Sequence, residues 1–396
     1  MTPDPRSSFQ IDLDLLYELL DVDRSLPVRR LLQAARLVRG VLAPLVLSLA
    51  VREGTPMGSG SRGELERLHR RIDTYARLTE EIARVPGARV VKGPSLARYY
   101  PEGVLRPLGD LDVVTSTEAA LWQVLALVTD RHHSDEAELT ELYADGQRHV
   151  FAGVWWTGED PLLDPNHCVD ITTFAFHGQP GLVPLRAALP EDQAHADVLS
   201  LAEERFQRPF TVKDILDLVF VMTSPAAPCS SGLIAAATEF ALAPELLELC
   251  ERVRACPRLA ATLPSELVDG LRAPAEAERL RRAERPGALP QAGAPQQAGG
   301  PQQSPAPVPA DASPAPRYGM LLATPLRRGE GDSCTEHRWS GGAITRTPIA
   351  DFLMVPGELV DPDSYESALT ELSTLTPWPL RPDDRRPAWP HSDRGV

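Results

Sequence analysis

Apolar positions change period several times along the chain, and each period predicts an element. Across 64–85, Leu65, Leu68, Ile72, Tyr75, Leu78 and Ile82 step by three or four residues, which predicts an amphipathic helix ended by Pro86-Gly87. Upstream, Leu31, Leu32, Ala35, Leu37, Val38 and Val41 recur at helical spacing, and 54–63 reads as a flexible Gly-rich joint. The longest apolar run, 41–51, is about half a membrane span and contains Pro44, so it predicts a core helix and no membrane contact. Residues 88–91 form a short predicted strand. Lys92-Gly93-Pro94-Ser95 then turns the chain into a helix, with Pro94 suited to its first turn. Thr117 is placed to cap a helix over 118–129. Strands are expected at 139–143 and 149–156, bracketing the turn Ala144-Asp145-Gly146, and again at 169–176. Residues 196–283 are helical by pattern.

Composition adds a boundary. Proline makes up 39 of 396 residues, about twice the usual share, and nine of these fall within 286–316 among Gln, Ala and Gly. That stretch predicts a disordered or polyproline-like linker. Formal charge is 40 − 55 = −15, which argues against a broad nucleic-acid groove. Five cysteines, odd in number and without a CxxC pair, make a disulfide framework or zinc ribbon unexpected and fit a reducing cytosol. Asp4, Asp12 and Asp14 stand where a secretory signal would need an apolar stretch, so a soluble, cytoplasmic protein is expected.

The segment from Lys92 to Val114 holds the candidate chemistry. Asp110 and Asp112 are two residues apart on a predicted strand and so project to one face. Side-by-side carboxylates repel unless a cation lies between them, and Mg²⁺ accepts such a pair together with substrate phosphates. Asp170, early in a later strand, could reach the same edge. Three acids around two metal ions suit in-line phosphoryl transfer. Gly93 permits close backbone approach to phosphate, Ser95 lies in the first turn of a helix whose free N–H groups favour anions, and Lys92 and Arg106 supply positive charge.

These residues resemble the nucleotidyltransferase superfamily that includes polymerase beta, in particular its branch of uncharacterised nucleotidyltransferases. The resemblance spans about 64–225. It rests on Lys92-Gly93, Tyr99-Tyr100-Pro101, Arg106-Pro107-Leu108-Gly109-Asp110-Leu111-Asp112 and, later, Cys168-Val169-Asp170-Ile171. The superfamily's Gly-Ser pair stands here as Gly93-Pro94-Ser95. The resemblance implies that Asp110 and Asp112 bind two Mg²⁺ ions, and that Asp170 holds the catalytic metal and helps deprotonate an acceptor hydroxyl. Arg208-Pro209-Phe210-Thr211-Val212-Lys213-Asp214-Ile215-Leu216-Asp217 resembles the lysine-bearing helix start that follows the catalytic domain in related enzymes. From there Lys213 would reach the triphosphate; alternatively, Lys213 and Asp214 are exposed first-turn residues.

Other candidates have plainer explanations. His132-His133 with Asp135 and Glu136 reads as a solvated loop, His167 as a loop histidine, and Cys168 as a small buried hydrophobe. Trp155 and Trp156 adjoin a strand end, where packing is favoured over base stacking, and Cys334 with His337 is half a zinc site.

The expected fold class is α+β. A helical region (1–63) precedes a nucleotidyltransferase core (64–195) built on a small mixed β-sheet flanked by helices. A helical domain (196–285), the Pro/Ala/Gln-rich linker (286–316) and a tail (317–396), either a small module or an unstructured arm, follow. The expected activity is Mg²⁺-dependent transfer of a nucleoside monophosphate from an NTP such as ATP, releasing pyrophosphate. A small molecule, sugar phosphate or peptide is favoured as acceptor over RNA. Two alternatives stay open. One is a tRNA-modifying nucleotidyltransferase toxin, with Arg62, Arg67, Arg70, Arg71 and Arg77 as a basic strip. The other is a non-catalytic nucleotide-binding scaffold, with a protein partner engaged through the linker or tail.

Overall fold

The computed structural model describes residues 9–38, 42–134, 136–284, 315–322, 326–357 and 360–381. The expected linker falls outside these residues except for its last two positions, as does the end of the tail from 382 onward. Three helices open the chain: α1 (Leu13–Leu19), α2 (Val28–Leu37) and α3 (Ala43–Arg52). The long α4 (Ser59–Ile82) leads to β1 (Ala88–Val91), the short α5 (Gly93–Ala97), β2 (Leu111–Thr115) and α6 (Glu118–Arg131). A hairpin of β3 (Glu136–Ala144) and β4 (Gln147–Trp156) precedes β5 (His167–Thr172). Helices α7 (Gln193–Glu203), α8 (Val212–Thr223), α9 (Ser230–Glu239), α10 (Ala243–Ala255) and α11 (Ser265–Ala283) come next. Four strands and a helix close the described chain: β6 (Arg317–Leu321), β7 (Thr335–Trp339), β8 (Gly342–Arg346), β9 (Asp351–Val355) and α12 (Pro362–Thr374).

The class is α+β. All nine described strands form one sheet in the order β1-β2-β5-β4-β3-β6-β9-β8-β7. It is mixed: β2 and β5 run parallel, and the other described pairs are antiparallel. Antiparallel β3 and β4 meet through Asp145-Gly146, with φ of 50° and 73°, the positive pair that a two-residue type I′ turn requires.

Alternation along β2 sorts its side chains. Leu111 and Val113 join Val169, Ile171, Ala152 and Val154 on the face covered by α4 and α6, where Tyr75, Leu78, Ile82, Leu121 and Leu125 are almost wholly buried. Asp112 and Asp170 therefore take the opposite face. A one-residue slip of register would drive both carboxylates into that apolar layer, so the pattern specifies the pairing. A second core joins α1–α3 to α7–α11 and includes Leu96, Tyr100 and Val104 from the segment between β1 and β2.

Several elements differ from expectation in their limits. Helix α4 begins at Ser59, inside the stretch read as a joint, since nothing after Pro56 blocks helical backbone and Leu65 and Leu68 anchor the turn that follows. Strand β5 stops at Thr172 rather than continuing to 176, because the Thr172 hydroxyl donates to the Phe174 carbonyl (2.6 Å) and turns the chain away. The described part of the tail extends the sheet through β6, which pairs with β3 from Leu139↔Gly319 to Glu141↔Arg317. Glu141, fully buried, anchors that seam by accepting from Arg148 (3.0 Å) and from Arg317 Nε (3.0 Å).

Candidate active site

The site is assembled where β1, β2 and β5 approach α7 and α8. A cavity of about 560 Å³ opens there, ample for a small ligand, and Lys92, Gly93, Asp110, Asp112, Asp170 and Lys213 all line it. Asp112 and Asp170 are direct partners across the parallel β2–β5 pair, and Asp110 lies two residues earlier on the approach to β2. The next row position is Gly153 on β4, where an added Cβ would come within 3.1 Å of Asp170 Oδ1 and 2.6 Å of the Trp155 ring. The missing side chain gives the Asp170 carboxylate its room. Its Oδ1 accepts from the Cys168 thiol at 3.1 Å, a bond that ties the predicted bland cysteine to the site.

Crowding has an electrostatic signature. Burial pushes the Asp112 carboxyl up to about 7; Lys92 opposes this, and Asp110, Asp170 and Glu204 reinforce it. Asp170 is also raised, by burial and then Asp110, against the Cys168 hydrogen bond. Such a group of desolvated like charges calls for a cation. The donor set is all carboxylate oxygen, the chemistry that suits a hard divalent ion such as Mg²⁺. As placed, no three His, Cys, Asp or Glu side chains among the described residues are gathered closely enough to hold a metal together. The acids thus share a cavity and a charge problem without forming a closed cage.

Lys92 answers part of that problem. Its ammonium pairs with Glu204, and although burial pulls a lysine down, Asp112 and Glu204 outweigh it and hold the group above the usual lysine range. The backbone at Lys92 has φ 52° and ψ −135°, a region that favours glycine, so a side chain is kept there at a cost of about 1–3 kcal/mol. Just after it, Gly93 passes the Asp110 carbonyl so closely that a Cβ would lie 3.2 Å away. We expect Lys92→Gly to be more stable than Lys92→Ala by about 1 kcal/mol, the reverse of the ordinary order, since both lose the ion pair but only Gly releases the strain. Urea midpoints of the two variants measure it, and a more stable Ala variant would show that the backbone is unstrained.

Two other sequence candidates have different surroundings. Arg106 is 5 % exposed, and its guanidinium forms a fork on Asp217 (Nε to Oδ1 and Nη2 to Oδ2, both 2.8 Å) while donating to the carbonyls of Gly93 and Pro107. It touches the cavity but spends its donors holding α8 to the Gly93 turn. Ser95 is buried beside the cavity. Its hydroxyl donates to Asp197 (2.9 Å) and accepts from Gln193 (3.1 Å). Lys213 keeps its ammonium in the cavity, 3.3 Å from both Asp214 and Asp217.

Glu204 carries no signal in the sequence, and the motif around Lys213 gives Arg208 and Asp217 no role of their own. Glu204 bridges Lys92 and Arg208 (3.1 Å) and is held below its usual range because those cations, Lys92 first, outweigh burial. Asp217 lies four residues after Lys213, a spacing visible in advance; its pairing with Arg106, 111 residues away, is not. The arginines of α4 are largely engaged: Arg67 pairs with Asp164 (3.3 Å), Arg70 with Glu159 (2.9 Å), and Arg71 is buried. His132 and His167 both stack on one ring, Trp156, at 4.3 and 5.0 Å.

No family model matches the chain, and no curated protein matches it. Solved structures similar to it include a "putative nucleotidyltransferase from H. pylori", 14% identical with TM-score 0.27, covering 57% of this chain and 96% of that one. Another is JHP933 from Helicobacter pylori, also 14% identical with TM-score 0.27, covering 58% and 94%. At that TM-score neither likeness bears on the activity of this chain.

Proposed function

We propose that the chain is a metal-dependent nucleotidyltransferase, moving a nucleoside monophosphate from an NTP to an acceptor hydroxyl with release of pyrophosphate. The pairing of Asp112 with Asp170 across adjacent parallel strands, with Asp110 and two lysines in the same cavity, carries the proposal. A scaffold has no use for Asp112 and Asp170 desolvated side by side with a third acid next to them, because burial makes ionising those two costly.

Asp110, Asp112 and Asp170 would hold Mg²⁺, which supplies charge neutralisation at the transferring phosphate and at the leaving pyrophosphate. Lys92 and Lys213 serve the polyphosphate, each exchanging a carboxylate partner for phosphate oxygen. In the transfer, the acceptor oxygen bonds to the α-phosphorus as the bond from that phosphorus to the β-bridging oxygen breaks. The proton of the acceptor hydroxyl would pass to the Asp170 carboxylate, which lines the same cavity. Phe151 and Phe174 give the cavity an apolar wall for a base or acceptor. Because Arg67, Arg70 and Arg71 are engaged, a small molecule, sugar phosphate or peptide fits as acceptor better than RNA.

The test is thermal unfolding with ATP, CTP, GTP and UTP, each with and without Mg²⁺. At a hundred-fold excess over Kd, binding adds about 2.7 kcal/mol, a rise of several degrees. A Mg²⁺-dependent rise with at least one NTP is expected; no shift with any of the four would overturn the proposal.

A further inference from the structure

Helix α4 carries a buried pair that the transfer scheme does not use. Arg71 is 8 % exposed and Tyr75 is fully buried. The Arg71 guanidinium donates to the carbonyls of Leu108 (Nε, 3.0 Å), Pro165 (Nη1, 3.0 Å) and Asn166 (Nη2, 3.0 Å), and also to the Gly109 carbonyl. Its remaining contact is the Tyr75 hydroxyl at 3.0 Å. All five acceptors are neutral oxygens. A guanidinium kept out of water on carbonyls alone is costly, so its geometry rather than its charge is the gain.

That geometry joins two loops. Leu108 and Gly109 immediately precede Asp110, and Pro165 and Asn166 immediately precede β5, which bears Asp170. The Tyr75 hydroxyl completes the link. It accepts from the Cys168 N–H at 3.0 Å and lies 3.2 Å from the carbonyls of both Gly109 and Cys168. One phenol oxygen therefore touches the residue before Asp110 and the residue whose thiol holds Asp170. Arg71 stacks over the Tyr75 ring at 5.1 Å, and His167 meets that ring edge-on at 5.4 Å, so the hydroxyl has little freedom to move.

We infer that Arg71 and Tyr75 are positioning residues that set the separation of Asp110 from Asp170, and hence the metal affinity of the site. The inference rests on the proposed transferase reading. Neither residue lines the cavity, so neither touches substrate. Arg71, taken from sequence as part of a basic strip, acts inward.

The experiment measures Mn²⁺ binding by electron paramagnetic resonance, together with kcat and KM for the NTP found above, in wild type, Tyr75→Phe and Arg71→Lys. Tyr75→Phe keeps the ring and removes only the hydroxyl. Mn²⁺ affinity and kcat are expected to fall by about ten- to a hundred-fold, as for other groups that orient ligands, with KM for the NTP nearly unchanged. Arg71→Lys, which keeps the charge but cannot reach both loops, should show the same pattern. It stands as the deciding variant if Tyr75→Phe does not fold. A purely structural role would lower the unfolding temperature and leave Mn²⁺ affinity and kcat as they were, and that result overturns the inference alone. A wild type that binds no Mn²⁺ overturns the transferase reading and the inference with it.

Discussion

Asp112→Asn is expected to lower transfer by about a thousand-fold or more while making the protein slightly more stable near neutral pH. The loss follows from several kcal/mol of charge stabilisation at the transferring phosphate, at about 1.4 kcal/mol per factor of ten. The gain in stability comes from the same carboxylate. In the folded chain Asp112 keeps its proton up to about pH 7, pushed there by burial and by its acidic neighbours against Lys92. An unfolded aspartate releases it near pH 3.9. Between these values the folded state binds more protons than the unfolded one, so this group's contribution to stability is present below about pH 4 and is lost as pH rises through 7. Asn carries no such titration. Urea midpoints of wild type and variant, measured without divalent ion at pH 4.5, 6 and 7.5, should diverge in favour of the variant as pH rises. Adding Mg²⁺ should reverse the order at pH 7.5 by stabilising wild type alone. A constant offset at all three pH values would remove Asp112 from the charged cluster, and normal turnover would remove it from the reaction.

The sequence made the acids legible because the signal is local. The i, i+2 spacing of Asp110 and Asp112 on a strand, the apolar alternation around them and the Lys-Gly turn before them all fall within 92–114. Asp170 could be added because it lies early in a later apolar strand, from which it can reach the same sheet edge. What stayed hidden depends on contacts between distant segments. Neither Gly153 nor Glu204 has a local pattern that sets it apart, yet one gives Asp170 its space and the other partners Lys92. The described tail strands β6 to β9 are only five residues long each; β6 takes its place from the β3 edge, which ends 173 positions before β6 begins, and β9 then pairs with β6. Arg71 shows the limit of charge counting most clearly: on a helical wheel it reads as part of a basic face, while the fold turns it inward onto four carbonyls.

The other large effect concerns Arg106, whose removal should be felt first in stability. The side chains of Arg106 and Asp217 are both buried and form a two-point ion pair. Asp217 also accepts from the Tyr100 hydroxyl at 2.8 Å and has Lys213 at 3.3 Å. Burial raises this carboxyl, but Arg106 and then Lys213 outweigh it, so it stays ionised. Truncating Arg106 to Ala leaves a buried charge with a weaker set of partners, which costs about 3–5 kcal/mol. The double variant Arg106→Ala/Asp217→Asn should recover part of that loss, because the stranded charge disappears along with its partner. Urea unfolding of the two single variants and the double variant closes the cycle. Additive losses would show that the pair is not coupled. In Arg106→Ala molecules that remain folded, Lys213 becomes the main cation at Asp217 and is held there more tightly. KM for the NTP should therefore rise, although four of the five Arg106 N–H donors are already held by protein oxygens. If KM is unchanged while stability falls as expected, Lys213 does not serve the polyphosphate.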